Sequence, residues 1–156
     1  MARLHDVIQR AMGWQDYHLH EFEIGDVRYG IDDGEDWEPP KDERRARLHQ
    51  VAPLGISFAY QYDFGDCWDH EIEVEALLPQ DAGRLYPVCI DGEGACPPED
   101  CGGPSGFAEM VEVLADPDHE EHESMRMWAG EGYDPERFDL AAVNETLSFI
   151  AARTLR

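Results

Sequence analysis

In YQYDFGDCWDHEIEVE (residues 60–75) a histidine, His70, falls at every-second-residue spacing with Trp68, Ile72 and Val74. An imidazole held among apolar side chains is pushed towards its neutral form, the form that ligates a metal or accepts a proton as a general base. Asp63 and Asp66, in the turn just ahead, can orient such a ring or share a cation with it, and Tyr60, Tyr62 and Trp68 would wall the pocket. The alternative is a core histidine satisfied by a tyrosine hydroxyl or a main-chain carbonyl. His18 and His20 stand two apart, so on a strand both imidazoles emerge on one face. There they can chelate one transition metal, or hydrogen-bond to backbone and carboxylates. His18, His20, His70 and Asp66 are thus the candidate ligands of a divalent metal. Glu99 and Asp100 lie between Pro97-Pro98 and Gly102-Gly103. A stiff backbone there presents two carboxylates to a cation or basic group at little entropic cost, or the acids serve the N-terminus of the following helix.

Other chemistries lack their residues. Cys67, Cys89, Cys96 and Cys101 do not form the two close pairs of a structural zinc site. They read as small buried hydrophobes, or as a zinc site completed by His and Asp. His119 and His122 are three apart, where the zinc-protease helix needs four. The glycines over 92–106 are followed by no phosphate-loop lysine, and no G-x-S-x-G elbow is present.

The elements that must position these side chains follow from periodicity. Leu4, Val7, Ile8 and Ala11 predict a helix that Gly13 closes. From Tyr17 the period is two, and Gly25-Asp26 turns into a short strand over 27–31. Residues 32–42 read as a surface loop, and 44–51 as a short helix or a strand. Ile56, Phe58, Tyr60 and Tyr62 share one face of a first hairpin arm, and Trp68, His70, Ile72 and Val74 one face of a second. Only a connection centred on Gly65 sets Tyr62 opposite Trp68, Tyr60 opposite His70 and Phe58 opposite Ile72, which implies a left-handed residue at Gly65 or Asp66. The reverse face then collects Asp63, Asp69, Glu71, Glu73 and Glu75. A strand is expected over 85–90, an ordered loop after it, and a helix from about Ser105 that Asp116-Pro117 ends. Asp118 and Glu121 suggest a capping box for the next helix, with Gly130 its stop. Asp139 is placed to cap a last helix carrying Leu140, Val143, Leu147 and Ile150. The order predicts an α+β fold: an antiparallel sheet with a central hairpin, covered on one face by N- and C-terminal helices.

The 156 residues fit a single domain, and 42% hydrophobic content supports a folded core. Thirty-five acidic against 12 basic residues give a formal charge of −23. That field opposes direct nucleic-acid binding and favours a basic protein partner or divalent cations. No apolar run is long enough for a membrane span and no secretory signal is visible, so a cytoplasmic protein with reduced thiols is expected.

With these residues placed, the chain resembles the plasmid pRiA4b ORF-3-like family. The matching stretches are LHDVIQRAMGWQDYHLHEF (4–22), YQYDFGDCWDHEI (60–72), CPPEDCGGPSGF (96–107) and GYDPERFDL (132–140), together with Asn144. Cys67 stands where relatives usually carry an acidic or small polar residue. Relatives also begin with a further strand pair before the first helix, so residues 1–156 read as one domain truncated at its N-terminus. The resemblance implies no established activity and an association with mobile elements, and thus a binding or accessory module. Some relatives carry a resolvase-type label, but a recombinase must grip a polyanion with clustered arginines, and this chain has no basic stripe. The competing reading is a metal-assisted hydrolase, or another enzyme, using the His/Asp pocket walled by aromatics.

Overall fold

In the computed structural model, which describes residues 1–34 and 37–154, the first apolar spacing forms helix α1 (Ala2–Met12). Gly13 closes it in the left-handed region at φ 85°, donating its N–H to Gln9 O, a conformation that costs glycine nothing. The period-two segment becomes β1 (His20–Ile24), which buries His20, Phe22 and Ile24 on one side. There follow β2 (Val27–Gly30), β3 (Lys41–Asp42), a 3-10 turn (Glu43–Arg45), α2 (Leu48–Val51), β4 (Ser57–Tyr62) and β5 (Trp68–Glu73). Helices α3 (Gly103–Ala115), α4 (His122–Ala129) and α5 (Leu140–Thr154) complete the chain.

The α+β class holds, with one correction. The five strands run β3-β2-β1-β4-β5, and β2 pairs with β3 in parallel, so the sheet is mixed rather than purely antiparallel. The segment expected as a loop over 32–42 returns beside β2 and pairs through its last two residues; residues 35 and 36 of it lie outside the described residues.

The central hairpin has the register that its two apolar faces demand: Tyr62 opposite Trp68, Tyr60 opposite His70, Phe58 opposite Ile72. Its connection differs in detail. The left-handed residues are Asp63 (φ 56°) and Cys67 (φ 55°), not Gly65 or Asp66. Cys67 donates its N–H to Asp63 O at 2.6 Å, while Asp63 Oδ1 accepts the N–H groups of Gly65 and Asp66 at 2.9 and 3.3 Å. That local bonding is why an aspartate tolerates the left-handed region here. It also takes Asp63 off the acidic face: Asp63 is buried, whereas Asp69, Glu71, Glu73 and Glu75 are exposed.

Two further expectations fail. No strand forms over 85–90, where Leu85 and Ile90 are exposed. Pro87 removes a ladder donor, and the Asn144 side chain takes the pairing role: Cys89 N–H donates to Asn144 Oδ1 at 2.8 Å and Asn144 Nδ2 to Cys89 O at 2.9 Å. Nor does Asp118 cap α4, which starts at His122; the His119 ring nitrogen accepts the Glu121 N–H instead, at 3.1 Å. Asp139 does cap α5, accepting the Ala142 N–H at 3.0 Å.

The core lies between the sheet and α1. Phe22, Tyr60 and Tyr62 have no exposed surface, Trp14 and Phe58 little, and Leu4, Ile8 and Met12 of α1 pack onto them. Helix α5 packs against α1. No described helix is long and apolar enough to cross a membrane.

Candidate metal centre

His18 and His20 emerge on the same aromatic face, beside Tyr62 and Tyr60 respectively, yet they serve different clusters. His20 Nε2 meets Glu43 Oε2 at 2.9 Å in a buried pair. His5 stacks on it with ring centroids 3.4 Å apart and planes 7° from parallel. His5 Nδ1 lies 2.8 Å from the Tyr60 hydroxyl and His5 Nε2 lies 2.8 Å from Asp16 Oδ1, while Gln9 Nε2 donates to the same hydroxyl at 3.2 Å. His5, Asp16 and His20 bring ligand atoms within reach of one another. A shared ion is nevertheless disfavoured. Parallel rings at van der Waals distance cannot both aim an in-plane lone pair at one ion about 2 Å away. This cluster is a core network whose polar atoms satisfy each other.

The network carries a pH dependence. Burial, and then the neighbouring His20, holds the His5 imidazole below the ordinary histidine value of 6.5. The unfolded chain therefore binds a proton that the folded chain refuses, and stability falls as the pH drops below the unfolded value. Thermal midpoints measured from about pH 7 down to about pH 5 should decline, with a shallower slope in His5→Asn.

The second cluster surrounds His18. Its Nε2 atom is buried and lies 3.0 Å from Asp100 Oδ1, 3.5 Å from Asp63 Oδ2 and 3.9 Å from Glu99 Oε2. None of these oxygens is aligned to make a hydrogen bond with it. A proton on Nε2 would need an acceptor on the in-plane axis of the ring; a metal ion would itself sit on that axis, with the carboxylate oxygens around it and off the axis. Ligands about 2.1 Å from a common ion sit roughly 3.0–3.4 Å apart, close to the separations from His18 Nε2 to Asp100 and Asp63.

The carboxylates are preset for this role. Asp63 Oδ1 is held by two main-chain N–H groups of its own turn, leaving Oδ2 to face His18. Glu99 Oε1 accepts the Gln15 N–H at 2.8 Å and the Tyr62 hydroxyl at 2.9 Å, and Oε2, which the same hydroxyl reaches at 3.3 Å, lies on the centre's side. Burial and then Glu99 hold the Tyr62 phenol above its ordinary value, so it stays a donor. Asp100, left-handed at φ 57°, has a side chain 70% exposed, which opens that side of the centre to water. Trp14 Nε1 donates to Pro97 O at 2.9 Å and Gly102 N–H to Asp66 Oδ2 at 3.1 Å, pinning both ends of the segment that bears Glu99 and Asp100. A groove of ≈ 480 Å³ lined by Asp100, Cys101, Gly106, Met110, Met125 and Trp128 opens beside it.

The structure thus joins His18 to Asp63, Glu99 and Asp100, and separates it from the other expected ligands. His70 is half-buried with Nδ1 3.1 Å from Tyr60 O and its ring edge-on to Trp14 at 5.5 Å, the arrangement of a satisfied core histidine. Asp66 braces the Glu99 segment. Tyr60 serves His5, Tyr62 serves Glu99, and Trp68 packs near Trp14 and Phe107. His5, Gln9, Glu43 and Trp14 escaped the sequence reading, although the i, i+4 pair His5 and Gln9 beside Leu4 and Ile8 signals polar groups on a packed helix face. All four cysteines are free thiols, and no cysteine joins a metal-capable group among the described residues. Burial, with Glu99 adding, pushes the Cys96 thiol up to about 12; burial, with Asp66 adding, pushes Cys101 up to about 11. Both are poor nucleophiles at neutral pH.

Comparison with known proteins places the chain in a wider group. The family model described as plasmid pRiA4b ORF-3-like protein matches residues 1–142. The uncharacterised protein y4hQ of Sinorhizobium fredii (strain NBRC 101917 / NGR234) is 42% identical over 159 residues, spanning 100% of this chain and 81% of that protein. The crystal structure of MM3350, a protein of unknown function from Methanosarcina mazei Go1, superposes with a TM-score of 0.77 at 39% identity, covering 89% of this chain and 80% of that one.

Proposed function

The chain belongs to the plasmid pRiA4b ORF-3-like family, and on that footing we propose that it is a divalent-cation-dependent domain whose centre at His18, Asp63, Glu99 and Asp100 supports metal-assisted hydrolysis. The observation that carries the reading is the buried His18 Nε2, without a hydrogen bond but within 4 Å of three carboxylate oxygens. One imidazole with carboxylates suits manganese, iron or zinc rather than a purely oxygen-ligated ion. A bound ion would acidify a water on the open Asp100 side, supplying the nucleophile. Three carboxylates around a doubly charged ion leave the centre one unit negative, on a chain of formal charge −23. Neutral or cationic substrates are favoured and phosphodiester backbones repelled.

The test is a titration of untagged, chelator-treated protein with Mn²⁺ and Zn²⁺, read by calorimetry and thermal midpoint. We expect one ion per chain and a midpoint raised by several degrees at saturating metal, since an ion at about 100 times its Kd adds roughly 2.7 kcal/mol. His18→Ala and Asp63→Asn should each weaken binding at least about tenfold, while His70→Gln leaves it unchanged. A midpoint indifferent to metal and chelator would end this reading.

A second reading is an accessory module of mobile elements acting in the cytoplasm on a basic protein partner; the exposed row of Asp69, Glu71, Glu73 and Glu75 supports the basic partner alone.

A further inference from the structure

The groove beside Asp100 is walled by two helices, and the spacing of its side chains is helical. Glu121 at the N-cap position, then Ser124, Met125 and Trp128, stand at i, i+3, i+4 and i+7 along one face of α4, while α3 contributes Gly106 and Met110, four residues apart. Met110 is almost wholly buried and Trp128 is 52% exposed, so the apolar wall runs from the base of the groove to its rim. Every lining residue comes from the segment 100–128. Residue 1 lies elsewhere: its amino group donates to Glu43 O and Ala46 O. From there the 11 residues of α1, about 16 Å of helix, lead to Trp14, whose indole holds Pro97 O just ahead of Asp100.

The oxygen atoms offered by the groove's side chains are all acceptors. Asp100 and Glu121 bring carboxylates, and Ser124 commits its hydroxyl proton to Glu121 O at 2.8 Å, which leaves its oxygen free to accept. No Lys, Arg or His lines the groove. Glu121 makes no side-chain capping bond to α4, and among the described residues its carboxylate has neither a hydrogen bond nor an ion pair. The Trp128 indole likewise has no ring partner and no acceptor for its N–H among the described residues.

We infer that this groove binds a small organic cation, an ammonium or guanidinium group carried on an apolar body. The N–H donors of the cation meet the Glu121 carboxylate and Ser124 Oγ, the adaptable methionine side chains fit the body, and its far end packs on the Trp128 indole. Seven residues along a helix span about 10 Å, so carboxylate and indole stand one arylalkylamine apart. The volume of ≈ 480 Å³ suits such a ligand, since small-molecule sites occupy roughly 300–1,000 Å³. The formal charge of −23 raises the local concentration of cations and keeps anions away. The inference rests on the metal-hydrolysis reading for one step only: the part of the ligand lying against Asp100 is presented to the open side of the centre, which makes the cation its substrate. Binding in the groove needs no metal.

The probes are 2-phenylethylammonium, the neutral 2-phenylethanol and the anion 3-phenylpropionate. Each is titrated into untagged, chelator-treated protein while the Met110 and Met125 methyl signals are followed by NMR. The ammonium should shift both signals and bind at least about tenfold more tightly than the alcohol, as a hydrogen bond between charged groups allows. That advantage should shrink in high salt, and the propionate should not bind. Glu121→Gln should remove the advantage and leave the alcohol's affinity unchanged, whereas Trp128→Ala should weaken both ligands by roughly threefold or more. Both side chains are exposed, so the variants keep the fold. Ammonium binding should persist in His18→Ala, which removes a ligand of the centre. Equal affinity for the three probes, or an ammonium affinity that Glu121→Gln leaves intact, would overturn the groove's assignment without touching the metal titration. Selective ammonium binding by a chain that takes up no metal would overturn the substrate role and leave the cation site standing.

Discussion

Trp14→Ala is expected to lower the thermal midpoint by about 10 °C, from a loss of roughly 3–5 kcal/mol for a buried large-to-small change. Trp14 is 7% exposed and lies just beyond α1, where three parts of the molecule meet. Its indole stacks on Tyr62 at 4.7 Å, stands edge-on to His70 at 5.5 Å and lies 6.1 Å from Trp68. Its Nε1 donor holds Pro97 O. Truncation opens a cavity against the hairpin and releases the segment carrying Glu99, so metal affinity should fall with stability. Trp14→Phe separates the two effects. It keeps a ring against Tyr62 but strands the Pro97 carbonyl, at a cost of about 1–3 kcal/mol. Equal midpoints for Trp14→Ala and the parent, by calorimetry at one pH, would show that this contact does not organise the core.

The hairpin was legible because its evidence is local and periodic. Four alternate residues on each arm, all apolar or aromatic but His70, admit one register, and a slip by one residue would have exposed half of them. The same logic read α1, β1 and the stripe of α5. What stayed hidden depends on contacts distant in sequence. His18 and Asp63 are neighbours through the Asp63 N–H bond to Leu19 O, but Glu99 and Asp100 arrive from a segment with no period at all. Its position is set by single bonds to Trp14, Gln15 and Asp66. Two histidines on one face therefore suggested a common ion, whereas the long-range partners decide otherwise: Glu43 and His5 claim His20, and the Glu99 segment claims His18. His70 drew attention by its spacing with apolar side chains; in the fold it is half-buried, with Nδ1 3.1 Å from the Tyr60 carbonyl oxygen.

Gly106→Ala should cost about 3 kcal/mol, the upper end for forcing extra volume into a packed site, and about 5–10 °C in thermal midpoint. A methyl group at Gly106 would overlap the Cys101 carbonyl oxygen, a main-chain atom that cannot swing aside as a side chain can. Gly106 also donates its N–H to Gly102 O, so the first turn of α3 and the end of the Glu99 segment are one packed unit. Relief of the clash must move Cys101, and with it Asp100. Metal affinity should therefore drop at least about tenfold even at temperatures where the variant is fully folded, because a ligand shifted by about an ångström no longer shares the ion. Gly132→Ala is the control: nothing lies near a Cβ there, and the change should stay within about 0.5 kcal/mol. Loss of stability with undiminished metal binding would separate Gly106 from the centre. A Gly106→Ala variant as stable as Gly132→Ala would mean that the turn between Cys101 and α3 is not packed as described.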